Sequence, residues 1–124
     1  MSDILLVEDN EMNREMLSRR LVRRGFSVRL AEDGGTSLRR VAEALPDLIL
    51  MDMTLPDIDG LEVIRKLKED ARTRDVPIVV LTARAMPEDR ARAFAAGADE
   101  YDVKPVDIDR LLEKMRTLLA RRAS

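Results

Sequence analysis

Cysteine, histidine and tryptophan are among the residue types missing from this chain of 124 residues. Without cysteine the chain can form no disulfide bond and offers no thiol for catalysis or metal binding, which fits a cytoplasmic protein. Without histidine, any imidazole base or phosphorylated imidazole must belong to another molecule. No apolar run approaches the length of a membrane-spanning helix, and the first residues lack the pattern of a secretory signal peptide. We therefore expect no membrane partner.

The chain also lacks an excess of one charge sign. It has 22 basic and 24 acidic residues and a formal net charge of -2, whereas proteins that bind nucleic acid generally present a basic surface. Only 2% of its residues are aromatic, so few rings are available to stack on bases. We expect no direct contact with nucleic acid.

The composition is that of a folded, well-solvated protein, with 45% apolar and 37% charged residues. A chain of this length buries about two thirds of the surface that its unfolded form exposes. The sequence has no low-complexity segment and no evident linker, so we expect one domain spanning residues 1–124.

Five short segments with the pattern of strands alternate with five segments of helical periodicity. The predicted strands lie at about 3–7, 26–30, 48–51, 78–81 and 100–103. The predicted helices lie at about 10–24, 35–44, 61–68 and 87–96, with the last beginning at 107. This alternation predicts right-handed crossovers and an α/β fold with a parallel sheet covered by helices on both faces. We expect Met12, Met16 and Met115 to pack on the core faces of the first and last helices.

Polar residues follow four of the predicted strands. Glu8 and Asp9 follow the first strand, Asp52 the third, Thr82 the fourth and Lys104 the fifth. In an open parallel sheet, ligands bind in the crevice beyond the carboxyl ends of the strands. Three carboxylates, a hydroxyl and an ammonium group would therefore meet in one pocket, and this set suits a divalent cation and a phosphoryl group.

Each of these residues also has a purely structural interpretation. Asp9 and Asn10 could cap the first helix, Thr82 could bond to the backbone, and Lys104 could be solvated. Asp52 is harder to explain in this way, because burying a polar group without a partner is costly. The cost is about 2–7 kcal/mol for a neutral group and more for a charged carboxylate. The combination favours a functional pocket.

Several motifs occur in a fixed order: Leu6-Val7-Glu8-Asp9-Asn10, Met51-Asp52, Leu55-Pro56, Asp59-Gly60, Leu81-Thr82-Ala83 and Lys104-Pro105. With these motifs the chain resembles the receiver domain of two-component response regulators, over residues 3 to about 119. The resemblance implies a doubly wound, flavodoxin-like sheet of five strands in the order 2-1-3-4-5, with five helices. It also implies a cis Lys104–Pro105 bond.

The resemblance implies that Asp52 is a nucleophile that takes a phosphoryl group from a phosphohistidine and becomes an acyl phosphate. Lys104 and the Thr82 hydroxyl would then bind phosphoryl oxygens. Such a protein phosphorylates and dephosphorylates itself without belonging to a separate enzyme class.

The resemblance also implies a Mg²⁺ ion, which prefers oxygen ligands and keeps several waters. Asp9 and Asp52 would bind the ion directly, the backbone carbonyl of Thr54 would supply a third oxygen, and Glu8 would act through water.

Three further positions are expected to tune or transmit the signal. Thr54 and Arg84 lie two residues beyond Asp52 and Thr82, where the family varies and the side chain sets the phosphoryl lifetime. Tyr101 occupies the position of an aromatic switch that turns inward when Thr82 moves toward the phosphoryl group. Asp102 replaces an apolar residue on an edge strand, where a charge discourages pairing between edges.

The implied partners are a sensor histidine kinase or histidine phosphotransfer protein, and a downstream protein that binds the face formed by the fourth helix, fifth strand and fifth helix. We expect a stand-alone receiver that is a monomer or a weak dimer. One alternative is a receiver fragment of a longer regulator or hybrid kinase. Another is a Mg²⁺-dependent aspartyl-phosphate hydrolase, which would need a second aspartate where Thr54 stands.

Overall fold

Strands and helices alternate along the whole chain in the computed structural model, which describes residues 2–53, 59–83 and 86–123. The strands are β1 (Asp3–Val7), β2 (Ser27–Ala31), β3 (Leu48–Asp52), β4 (Ile78–Thr82) and β5 (Glu100–Val103). The helices are α1 (Glu11–Arg23), α2 (Gly34–Glu43), α3 (Gly60–Glu69), α4 (Pro87–Ala96) and α5 (Ile108–Ala123). The predicted alternation is confirmed, with boundaries that differ by one residue where they differ.

All neighbouring strands are parallel, and the sheet has the order β2-β1-β3-β4-β5. The predicted fold class and strand order are therefore confirmed. The chain winds one way from β1 to β2 and the other way from β3 to β5, so a crevice opens where the direction reverses, between β1 and β3. The register aligns Val7 with Met51 and Asp52 with Leu81, which brings the carboxyl ends of these strands to the same level.

The sheet separates two hydrophobic cores. β3 and β4 are buried along their whole length, as their uninterrupted apolar sequences predict for strands covered on both faces. One core joins the sheet to α2, α3 and α4, and the other joins it to α1 and α5. Within the described part of the chain, no helix combines the length and apolar character needed to cross a membrane.

The methionines behave differently from one another. Met115 is fully buried, as predicted, but Met12 is 71% exposed and Met16 is 48% exposed. The prediction for Met12 and Met16 is wrong because α1 packs through the narrow stripe of Leu17 and Leu21. Met16 lies one residue before Leu17, about 100° around the helix, and this turns it toward solvent.

Gly97, at the carboxyl end of α4, lies under the side chain of Lys68 from α3. A β-carbon at Gly97 would lie 2.6 Å from Lys68 Cγ, and the φ angle of Gly97 is +119°. The Lys68 ammonium group continues past the glycine and donates to the carbonyls of Arg74 and Val76 and to Asp99 Oδ2, at 3.0, 2.9 and 3.0 Å. The glycine therefore lets one side chain tie α3 to the loops that precede β4 and β5.

We predict that Gly97→Ala destabilises the protein more than Gly25→Ala does. Gly25, after α1, also has a positive φ of +94°, but a β-carbon there would meet no atom within 4 Å. Each alanine should cost about 1–2 kcal/mol for its backbone conformation. Gly97→Ala should cost about 1 kcal/mol more because Lys68 must give up hydrogen bonds. Urea unfolding of both variants measures the difference.

The excess should shrink when Gly97→Ala is made in a Lys68→Ala background, because the Cγ atom at 2.6 Å is then absent and only Cβ, at 3.2 Å, remains. If both glycine variants lower the free energy of unfolding equally in the wild-type background, the contact with Lys68 does not contribute to the cost of Gly97→Ala.

Candidate functional site

Four strands deliver polar residues to the same edge of the sheet. Glu8 and Asp9 directly follow β1, Asp52 and Thr82 are the last residues of β3 and β4, and Lys104 directly follows β5. One carboxylate oxygen from each of Glu8, Asp9 and Asp52 lies within 4.8 Å of the corresponding oxygens of the other two residues. We call these three residues the acidic cluster. Glu8 and Asp52 are buried, whereas Asp9 is exposed to solvent.

Lys104 is the cation that faces the acidic cluster. Its Nζ donates to Glu8 Oε1 at 2.8 Å and lies 3.4 Å from Asp52 Oδ2. The Lys104 backbone N–H donates to the Thr82 carbonyl at 2.7 Å, which fixes the start of the lysine beside the end of β4. The Lys104–Pro105 bond is cis, as the resemblance implied.

The charges of the site shift the pKa of both partners in this pair. Burial raises the pKa of the Glu8 carboxyl, but hydrogen bonding to Asp52 and the hydrogen bond and charge of Lys104 outweigh burial, so its pKa lies below the usual value. Burial lowers the pKa of Lys104, but the Glu8 hydrogen bond and the negative charges of Asp52 and Glu8 raise it above the usual value. Both groups are therefore charged at neutral pH, and the site holds a fixed positive charge beside the buried negative charge of Glu8.

The donor set fits a hard divalent cation. Glu8 Oε2 is buried and has no hydrogen-bond partner among the residues that the structure describes. A buried carboxylate oxygen without a partner is costly. A cation in the cluster, or a water bound to that cation, would supply the missing partner of this oxygen. Carboxylate oxygens are the ligands that Mg²⁺ prefers. Thr54, whose carbonyl was predicted to be a further ligand, lies outside the described residues.

The loop that carries Glu8 and Asp9 is held by residues of α1. Asn10 caps the helix and its side chain accepts the Asn13 N–H at 2.9 Å, so Asn10 and not Asp9 is the helix cap. Arg14 Nη1 donates to the carbonyls of Glu8 and Asp9 at 2.8 and 3.3 Å. Sequence reasoning missed Arg14, because α1 contains several arginines and nothing in their spacing marks this one.

Gly60 packs closely against the backbone of Asp52 and Met53 at the end of β3. A β-carbon at Gly60 would lie 3.0 Å from the Met53 carbonyl oxygen and 3.1 Å from that of Asp52. Asp59 caps α3 by accepting the Leu61 N–H at 3.0 Å. The Asp59-Gly60 motif therefore starts α3 close against the chain that leaves β3.

A cavity of about 490 Å³ opens beside the acidic cluster. Its walls beyond the cluster come from Met16, Leu17 and Arg20 of α1 and from Pro105 and Val106 after β5. It joins the polar site to a mainly apolar groove along α1.

The chain was compared with known proteins. A family model described as the response regulator receiver domain matches residues 4–116. The chain belongs to this family. It is 44% identical over 118 residues to the response regulator MprA of Mycolicibacterium vanbaalenii, covering 95% of the chain and 50% of the relative. It is 36% identical over 121 residues to the DNA-binding dual master transcriptional regulator RpaA of Synechocystis, covering 98% and 50%.

Solved structures agree with this assignment. A putative response regulator from Chloroflexus aurantiacus superimposes with a TM-score of 0.92 at 32% identity, covering 96% of this chain and 98% of that one. The chemotaxis protein CheY4 of Vibrio cholerae superimposes with a TM-score of 0.89 at 30% identity, covering 95% and 98%. The chain spans about half the length of MprA and RpaA. The assignment favours a receiver over the hydrolase alternative.

In this receiver domain Tyr101 already points inward. It is buried in the core that contains Ala93 and Ala96 of α4. The neighbouring Asp102 is buried on the opposite side of β5, where its Oδ1 accepts Arg110 Nε at 2.9 Å. The expected edge charge therefore lies beneath α5 and does not project into solvent.

Side chains form hydrogen bonds with backbone groups of β5, which is an edge strand as expected. The Tyr101 N–H donates to Glu100 Oε1 and the Val103 N–H donates to Asp102 Oδ1, both at 2.9 Å. Lys114 Nζ donates to the Tyr101 carbonyl at 2.7 Å.

The two positions predicted to set the phosphoryl lifetime, Thr54 and Arg84, both lie outside the described residues.

We predict that Mg²⁺ raises the melting temperature of the receiver domain. A ligand that binds only the folded state stabilises it by about 2.7 kcal/mol at a hundredfold excess over its Kd. Asp9→Asn should reduce this response because it removes a ligand, while it raises the melting temperature without Mg²⁺ because it removes one of three repelling charges. Thermal unfolding with and without millimolar Mg²⁺ measures both effects.

Asp109→Asn serves as the control, since Asp109 is an exposed carboxylate of α5 outside the cluster. It should respond to Mg²⁺ as the wild type does. A melting temperature that stays constant up to tens of millimolar Mg²⁺ would disprove the metal site.

Proposed function

We propose that this receiver domain accepts a phosphoryl group on Asp52 from the phosphohistidine of a sensor kinase or a histidine phosphotransfer protein. The observation that carries the proposal is the position of Asp52: a buried carboxylate that shares one pocket with Glu8 and Asp9 and lies 3.4 Å from the Lys104 ammonium group. This carboxylate lies beside a cation and lines the open cavity, where a phosphoryl group can reach it.

In the proposed reaction an Asp52 oxygen forms a bond to phosphorus as the bond from phosphorus to the histidine nitrogen breaks. The leaving imidazole takes the electron pair of that bond and remains on the partner protein. Lys104 would donate to a phosphoryl oxygen and would turn from its Glu8 contact to do so. Such catalysis depends mainly on positioning and electrostatic stabilisation.

We propose that Glu8, Asp9 and Asp52, with the backbone carbonyl of Thr54, hold Mg²⁺. When bound, the ion supplies positive charge that offsets the repulsion between the carboxylates and an anionic phosphoryl group. Lys104, 3.4 Å from Asp52 Oδ2, provides a further and permanent positive charge.

The Thr82 hydroxyl is proposed to donate to another phosphoryl oxygen. Thr82 is buried at the end of β4, and its carbonyl accepts the Lys104 N–H, so a movement at either residue affects the other. Because Tyr101 is already buried, phosphorylation would act by favouring this inward position over an outward one, which is a shift of population between two states. Thr54 and Arg84 remain proposed determinants of the phosphoryl lifetime.

The cavity beside the acidic cluster supports a docking place for the phosphohistidine-bearing partner. A partner that lies along α1 would cover the exposed Met12 and Met16 and reach Asp52 through the cavity. Exposed methionines suit this role because they adapt to different apolar surfaces.

The output partner is proposed to bind the face formed by α4, β5 and α5, where Met86 at the start of α4 and Phe94 within it are exposed. We propose residues 1–124 as a single receiver domain acting as a monomer or weak dimer. The alternative, a receiver within a longer regulator, is favoured by relatives twice as long, one of which has a name that describes it as DNA-binding. In that case the partner face would contact a further domain of the same chain.

We predict that acetyl phosphate and Mg²⁺ add one phosphoryl group to the protein, and that hydroxylamine removes it because it is an acyl phosphate. Asp52→Asn should abolish the modification, since the amide is not a nucleophile toward phosphorus. Asp75→Asn, at an exposed aspartate before β4, should leave it intact. Intact-protein mass spectrometry measures the outcome. Full modification of Asp52→Asn would assign the nucleophile to another residue.

We predict that Tyr101 carries the change of state to α4 and β5. Beryllofluoride, a phosphoryl mimic, should alter the hydrogen-exchange protection of amides in α4 and β5 of the wild type, because it favours one of the two states. Tyr101→Ala should lose this change while keeping the change around Asp9 and Asp52, and Tyr101→Phe should keep both. The same response of α4 and β5 in Tyr101→Ala would remove Tyr101 from the switch.

A further inference from the structure

Arg14 binds the backbone of the two residues that begin the acidic cluster. Its Nη1 donates to the Glu8 carbonyl at 2.8 Å and lies 3.3 Å from the Asp9 carbonyl. Arg14 is half-buried and stands in the first turn of α1, directly beside the loop from β1. One guanidinium group thus contacts both carbonyls of the short connection that presents two of the three carboxylates.

The contacts of Arg14 complete the restraint of this loop. The Glu8 N–H donates to the Ala31 carbonyl at the end of β2, at 3.0 Å. With Arg14 on its carbonyl, the Glu8 residue is held from both sides. Asn10 is fixed as the cap of α1, so Arg14 acts on the two residues between the end of β1 and this cap. Asp9 is exposed, and packing does little to hold its direction.

We infer that Arg14 is a positioning residue for the divalent-cation site. By fixing the carbonyls of Glu8 and Asp9 it keeps their carboxylates directed at Asp52 before a cation binds. The inference rests on the proposed Mg²⁺ site and adds to it a residue that is not a ligand. Groups that orient the ligands of a metal contribute to its affinity, and their loss commonly weakens binding about 10- to 100-fold.

The sign of the effect distinguishes positioning from charge. The Arg14 guanidinium is positive and near the acidic cluster, so by Coulomb's law it repels a divalent cation. If Arg14 acted only through its charge, its removal would tighten Mg²⁺ binding. If it acts by positioning the loop, its removal weakens binding despite the lost repulsion.

The experiment is calorimetric titration of Mg²⁺ into the wild type, Arg14→Met and Arg14→Lys. Arg14→Met keeps the apolar part of the side chain but removes both hydrogen bonds, and its Kd should rise about tenfold. Arg14→Lys keeps the charge and one donor group, and its Kd should fall between the other two. Arg19→Met is the matched control: Arg19 is on the same helix, is 74% exposed and pairs only weakly with Glu15 at 3.8 Å, so its Kd should not rise.

Arg14→Met that binds Mg²⁺ as tightly as the wild type, or more tightly, overturns the inference. Urea unfolding without Mg²⁺ gives the unfolded fraction of each variant. If this fraction accounts for the whole loss of affinity of Arg14→Met, the inference is also overturned. A wild type that binds no Mg²⁺ disproves the proposed metal site itself, an outcome that the wild-type titration alone identifies.

Discussion

Two buried carboxylates, Glu8 and Asp52, face one ammonium group at the carboxyl edge of the sheet. Each carboxylate alone would be costly to bury, and removing a single partner from a buried charge pair typically costs about 3–5 kcal/mol. Lys104 offsets this cost for both, at 2.8 Å and 3.4 Å. The arrangement therefore requires β5 to end beside β4, and β1 beside β3. The strand order and the charge balance of the site depend on one another.

The sheet supplies this arrangement through backbone contacts more than through side chains. The Thr82 carbonyl holds the Lys104 N–H, and the Ala31 carbonyl holds the Glu8 N–H. Gly60 allows α3 to begin directly against the carbonyls of Asp52 and Met53. Glu8, Asp52 and Lys104 are thus fixed at their main chains, which leaves side-chain rotation as the freedom that a ligand can use.

The sequence predicted the parts of the fold and site that follow from periodicity and chain direction. Apolar runs that end in Glu8, Asp52 and Thr82 place these residues at one edge once the strands are parallel, and this needs no knowledge of side-chain contacts. The exposure of Met16 could not be predicted in the same way, because a helix face shifts by about 100° from one residue to the next and packing decides which stripe is buried.

Two other features depend on long-range contacts that leave no local pattern. Arg14 is one of several arginines in α1, and only the folded loop shows that its side chain meets the carbonyls of Glu8 and Asp9. Asp102 lies on an edge strand, as expected, but its burial depends on Arg110 of α5. A charge on an edge and a charge under a helix look alike in the sequence, since the difference is made by a helix that follows later in the chain.

The hydrogen bonds along β5 affect which kind of protein can recognise this domain. Glu100, Asp102 and Lys114 occupy backbone groups of Tyr101 and Val103 on the outermost strand. A peptide that added itself as a sixth strand would first have to replace these bonds, so β-augmentation is disfavoured. A partner at the proposed face of α4, β5 and α5 would instead contact the side chains of the two helices. A partner helix can make such contacts without displacing the hydrogen bonds along β5.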